Sequence, residues 1–108
     1  MSVKEKNKWI TGEEFGNERR RLILAGHRDE SAEMQQLLAR VHERDEYLWD
    51  RFAKPLITVH PGKWAAVSPE GDVIIVNTAS EAIHTGTERF GGGNFVYGRL
   101  AEFRGYQL

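Results

Sequence analysis

Apolar residues in this chain follow two spacings. From residue 10 to residue 54 they recur every three or four positions. Between 63 and 76 they come in short dense runs, and after 78 the helical spacing returns before a last run at 94–100. "ITGEEF" predicts a helix start. Thr11 caps it, Glu14 completes a capping box, and Ile10 with Phe15 forms the accompanying hydrophobic staple. Phe15, Leu22 and Ile23 share a face of this helix, and Gly26 suits the left-handed residue that ends it. Gly12 and Gly16 weaken it, each by about 1 kcal/mol relative to alanine in a helix interior. A longer helix follows, capped by Ser31 with Asp29, Glu30 and Glu33 near its positive end. Its stripe is Met34, Leu37, Leu38, Val41, Leu48 and Phe52, interrupted by Asp45, and Pro55 should stop it near Ala53. That gives a spine about 33 Å long.

"KWAAV" and "DVIIV" predict two strands joined by the turn "SPEG". The second is apolar on both faces, so it needs cover on both. "TASEAIHTGTERF" predicts a short helix with Thr78 and Glu81 as a second capping box and Ala79, Ala82, Ile83 and Phe90 on one stripe. Gly91 to Gly93 end it and "NFVYGRL" supplies a third strand. The expected fold is α+β: two N-terminal helices, one of them long, followed by a β-β-α-β unit with a three-stranded sheet of split βαβ type. The third strand should lie beside the first and antiparallel to it. Residues 1–10 form a polar N-terminal segment, 11–54 a helical region and 55–108 the β-β-α-β region of a single domain.

Composition narrows the chemistry. Fifteen Lys and Arg against sixteen Asp and Glu give a formal net charge of −1, which implies neither a polyanion nor an acidic membrane as partner. The absence of cysteine excludes disulfides, thiolate metal sites and a thiol nucleophile. No apolar run approaches the ~20 residues that span a bilayer, and the N-terminus has no hydrophobic signal segment. The expected setting is cytoplasmic.

The segment "HPGKWAAVSPEGDVIIVNTASEAI" resembles an uncharacterised prokaryotic family of small domains, in which a Pro-Gly-Lys-Trp-Val-Ala-Val strand precedes a Gly-containing turn, a second strand and a short helix. Pro61, Gly62, Lys63, Trp64, Ala66 and Val67 carry the resemblance, with Ala65 where the family favours a larger aliphatic residue. The resemblance spans residues 60–83. It implies the hairpin and helix, and no activity.

Each tempting catalytic motif lacks a residue its chemistry needs. Gly62-Lys63 has Ile57 in place of the first P-loop glycine and Trp64 in place of its Ser or Thr. Gly91 to Gly93 leave a helix rather than enter one, the wrong end for an anion. "VIIVNTAS" is similar to the loop of retroviral-type aspartic proteases, but Asn77 stands where the acid must be, and a carboxamide cannot share a proton. The histidines His27, His42, His60 and His84 show no His-x-x-x-His spacing; His42 with Glu46 is the one helical pair at ligand spacing, and a solvated pair explains it. Ser31, Ser68 and Ser80 sit in caps and turns without a nucleophile elbow. No cofactor or metal is implied.

Binding is the favoured reading, and an enzyme of unrecognised type, which needs an apolar cleft with convergent polar groups, stays open. Tyr and Trp are enriched where proteins meet, and Tyr47, Trp49, Trp64 and Tyr106 are the expected anchors of a non-catalytic protein-interaction or self-association module, a homo-oligomer or the partner of another protein. Trp9 and Phe103 lie outside the simplest core stripes as well, and Leu108 is a further apolar residue of the tail. The alternative is a nucleic-acid-associated regulator using Arg19, Arg20, Arg21 and Arg28. Nearby Glu13, Glu14, Glu18, Asp29 and Glu30 favour instead a charge-paired surface.

Overall fold

A computed structural model describes residues 9–101 of the chain. Phe103, Tyr106 and Leu108 of the tail and most of the polar N-terminal segment lie outside the described residues. The element order is α1 (Gly12–Leu24), α2 (Ala32–Leu48), β1 (Trp64–Val67), β2 (Val73–Val76), α3 (Ala79–Phe90) and β3 (Val96–Arg99). This is the α+β arrangement the hydrophobic spacing predicts.

Local chemistry fixes the helix starts. The Thr11 hydroxyl accepts the Glu14 N–H at 3.0 Å while the Glu14 carboxylate accepts the Thr11 N–H at 3.0 Å. Thr78 and Glu81 repeat this reciprocal pair at α3, and the Ser31 hydroxyl accepts the Met34 N–H at 3.1 Å. Each cap satisfies a backbone donor that the helix itself leaves without an acceptor. In the turn between β1 and β2 the buried Ser68 hydroxyl accepts the N–H groups of Glu70 and Asp72, both at 3.2 Å. Gly71 closes that turn at φ +93°, and a side chain there would strike the Phe52 ring. Glycine is required twice over.

The end of α2 departs from expectation. α-Helical bonding ends already at Leu48, and Ala53, the expected stop, ends a wider turn instead. After Leu48 the helix widens into a π-type turn, Trp49–Ala53, in which the Lys54 N–H reaches back to the Trp49 carbonyl, and then tightens through Lys54–Leu56. Proline is tolerated here because it falls in the first turn of the new segment, where its missing N–H has no intrahelical role. The regular helix is therefore about 26 Å long rather than 33.

The sheet order is β2-β1-β3, with both neighbours antiparallel to β1. Ala65 faces Ile75 and Gly98 across the ladders, and Val67 faces Val73 and Val96. These residues form one face, packed with Leu48, Ala53 and Leu100 under Trp49, Phe52, Leu56 and Ile57. The turn after α2 is what covers that face. Alternation sends Trp64 and Ala66 to the other side. Ala66 is fully buried there, and α3, which contacts all three strands, supplies the cover through Ala82 and Gly86. Both faces are thus covered within one chain.

A second, separate core joins α1 to α2: Ile10, Leu22, Met34 and Leu37, flanked by Phe15 and Val41. Ile23 and Leu38, expected on the inner stripes, face water instead. The buried positions of α2 are Met34, Leu37, Arg44 and Leu48, so the stripe runs 34, 37, 41, 44, 48 with an arginine in it. Asp45 is beside the stripe rather than its interruption.

Candidate interaction surfaces

Arg44 is the best-placed polar side chain of the fold, and it is structural. Only 2% exposed, it donates from one terminal nitrogen to the carbonyls of Ile10 at 3.0 Å and Gly93 at 2.8 Å. Its other nitrogens meet one Asp45 oxygen at 3.0 and 2.9 Å. One guanidinium therefore ties the start of α1, the glycine turn before β3 and the middle of α2 together. Gly12 completes the junction, donating its N–H to Asn94 Oδ1 at 2.5 Å and lying so close to Gly92 that a side chain would collide with that carbonyl. Burial raises the Asp45 carboxyl pKa above its ordinary value, and the opposing pull of Arg44 is weaker.

Among the described residues no group of three or more His, Asp or Glu is arranged to hold a metal, and every buried side-chain nitrogen or oxygen has a partner. His27 pairs with Glu33 at 3.3 Å, His42 with Glu46 at 3.8 Å and His84 with Glu88 at 3.5 Å, each a single pair. The Lys63 ammonium donates to the Asn77 side-chain Oδ1 at 2.6 Å.

The aromatic anchors expected from the sequence are not brought together. Tyr47, 47% exposed, stacks against Trp9 at 5.4 Å between ring centres. Trp49 packs into the sheet core, lying against Gly98 so closely that a side chain at Gly98 would meet its ring. Trp64 is half-buried in β1, on the face that α3 covers. Tyr106 is outside the described residues.

Two other surfaces emerge. Along one flank of α1, beginning beside the α1–α2 core at Phe15, the residues Phe15, Gly16, Arg19, Arg20, Ile23 and Leu24 line a shallow groove of about 400 Å³. Leu24 is 81% exposed and Ile23 47%. The arginine cluster divides over this region. Arg21 is held by Glu18, whose carboxyl pKa that hydrogen bond lowers, Arg20 donates to Asn17 at 3.2 Å, and Arg19 and Arg20 border the groove. On the α3 side of the sheet an aromatic row runs from Phe90 to Phe95 at 6.2 Å and on to Tyr97 at 6.4 Å. The sequence carried a signal for the groove, since residues 15, 19 and 23 and residues 16, 20 and 24 are four apart. Tyr97 carried half of one: a third strand beside the first is an edge strand, but how far α3 covers its side chains is not written in the strand itself.

Compared with models of protein families, with curated proteins and with solved structures, the chain matches none. No helix among the described residues is long and apolar enough to cross a membrane.

Proposed function

We propose that this chain is a non-catalytic protein-interaction module that docks a partner on the exposed flank of α1. The observation that carries the reading is Leu24, with Ile23 and Phe15, lining a groove that no other element of the described chain fills. Apolar surface held open on a helix is a receptor for a second amphipathic helix, read through anchors spaced three and four apart. Arg19 and Arg20 border the groove and set the charge of what fits: an apolar stripe flanked by carboxylates. Antiparallel pairing with α1 of a second copy would bring these arginines against themselves, which favours a different chain as occupant.

The test is a titration of the 15N-labelled protein with two synthetic amphipathic helices, one with a leucine stripe flanked by glutamates and one flanked by lysines. Binding of the acidic peptide with shifts centred on Phe15, Gly16, Ile23 and Leu24, lost in Leu24→Glu, is expected. No preference for the acidic peptide, or the same affinity in Leu24→Glu, overturns the reading. A nucleic-acid role for Arg19, Arg20, Arg21 and Arg28 has less support, because Glu18 already occupies Arg21. A single-stranded RNA added at low salt, where phosphate contacts are strongest, should leave the arginine signals unmoved.

A further inference from the structure

We infer that the outer edge of β3 is a second association surface, independent of the α1 groove, and that it pairs antiparallel with β3 of a second copy about Tyr97. The ladder geometry fixes which backbone groups are available. The Leu100 N–H donates to the Lys63 carbonyl at 2.7 Å, so in the register that matches Trp64 with Arg99 the odd residues of β1 turn their backbone toward β3. The even residues turn toward β2, as the 2.9 Å bond from the Ser68 N–H to the Asp72 carbonyl shows. Val96 and Gly98 therefore face β1. Phe95, Tyr97 and Arg99 point their N–H and C=O groups away from the sheet. Among the described residues only the Arg99 carbonyl of this set has a partner, the Ala101 N–H at 3.0 Å. An open edge of this kind is a template for another strand.

The side chains say which strand. Phe95, Tyr97 and Arg99 alternate onto the α3 face, where Phe95 lies over Gly86 and Tyr97 ends the aromatic row 44% exposed. Antiparallel self-pairing about Tyr97 uses all three outward residues. It sets Tyr97 opposite Tyr97 of the second copy and Phe95 opposite its Arg99. Directly opposed side chains have their Cβ atoms about 5 Å apart, so the rings meet and each guanidinium covers a Phe ring as a cation–π pair. Arg99, which alone would guard the edge by repulsion, never meets its own kind. The edge of β2 offers less. Only Val73 and Ile75 turn outward there, and the next outward residue, Asn77, already donates its N–H to the Glu81 carboxylate at 2.9 Å. The product is a continuous six-stranded sheet with both copies of α3 on one face. Each particle carries two α1 grooves, which multiplies avidity for a bivalent partner.

Sedimentation equilibrium of the full chain tests this. Wild type should form a reversible dimer whose mass rises with concentration. Tyr97→Pro removes an outward N–H and no bond to β1, as proline permits on an edge strand. It should weaken the dimer at least tenfold with an unchanged circular dichroism spectrum. Tyr97→Glu and Tyr97→Lys should each be monomeric alone, because like charges meet across the twofold axis, and should dimerise when mixed. A monomeric wild type at all concentrations, a Tyr97→Pro dimer as tight as wild type, or no dimer on mixing the two charged variants overturns the inference. The acidic-peptide titration stays unchanged in all these variants, so failure here and failure of the α1 reading are separate results.

Discussion

Replacing Arg44 by methionine tests the central claim about how this fold is held together. The substitution keeps an unbranched side chain in the buried stripe of α2 and removes every bond of the guanidinium. The carbonyls of Ile10 and Gly93 lose their donor, and Asp45 loses its counter-charge. A hydrogen bond from a charged group contributes about 1.5–3 kcal/mol, so two lost carbonyl bonds cost about 3–6 kcal/mol. Breaking one side of a buried ion pair typically costs about 3–5 kcal/mol. Asp45 is only partly buried and can turn to water, and the methionine gains apolar contact, so the net loss should be about 3–4 kcal/mol. With an unfolding entropy near 2.1 cal/mol/K per residue, the melting temperature should fall by roughly 15 °C. Urea melts followed at 222 nm measure the free energy, and hydrogen exchange at the Gly12 N–H, bonded to Asn94, reports the junction itself. Arg44→Met/Asp45→Asn should recover about 1 kcal/mol, because it no longer strands a half-buried carboxylate. A single variant within 1 kcal/mol of wild type, with Gly12 exchange unchanged, would show that the guanidinium is not the tie described.

Two further predictions use the same structure. Asp45 is raised in pKa, chiefly by burial, so the folded chain holds that proton more tightly than the unfolded one. Its contribution is full below the unfolded pKa of about 3.9 and is lost as pH rises through the higher folded value. The stability of wild type minus that of Asp45→Asn should accordingly shrink from pH 3 to pH 7, and growth over that interval in paired urea melts would contradict it. Glycine to alanine should act in opposite directions at two helical sites. Gly16 has open space around it, so Gly16→Ala should stabilise by about 0.5–1 kcal/mol while its methyl narrows the α1 groove and weakens peptide docking. Gly86 lies under the Phe95 ring, so Gly86→Ala should destabilise by about 1–3 kcal/mol. Thermal melts of the two variants giving shifts of the same sign would refute the packing described.

The parts legible in the amino-acid order are those that depend on neighbours three or four residues apart. Thr11 with Glu14, Thr78 with Glu81, and Ser31 ahead of Met34 set the helix starts. The turn around Ser68 and Gly71 and the dense runs beside it set the hairpin, and element order then required β3 beside β1. Tertiary structure alone decided the rest, because those outcomes rest on contacts between residues far apart in the chain. Val41 and Leu48 place Arg44 on the apolar stripe, but the carbonyls that let an arginine be buried there lie 34 and 49 residues away. The face of α1 that meets α2 is set by contact with Met34 and Leu37, which is why Leu22 is buried and Ile23 is not. Trp49 is inside because the π-type turn swings it under Gly98, where a strand residue without a side chain leaves room. Tyr97 stays 44% exposed even though α3 packs on its side of the sheet. A periodic pattern marks apolar residues, and only the assembled layers choose which of them water can reach.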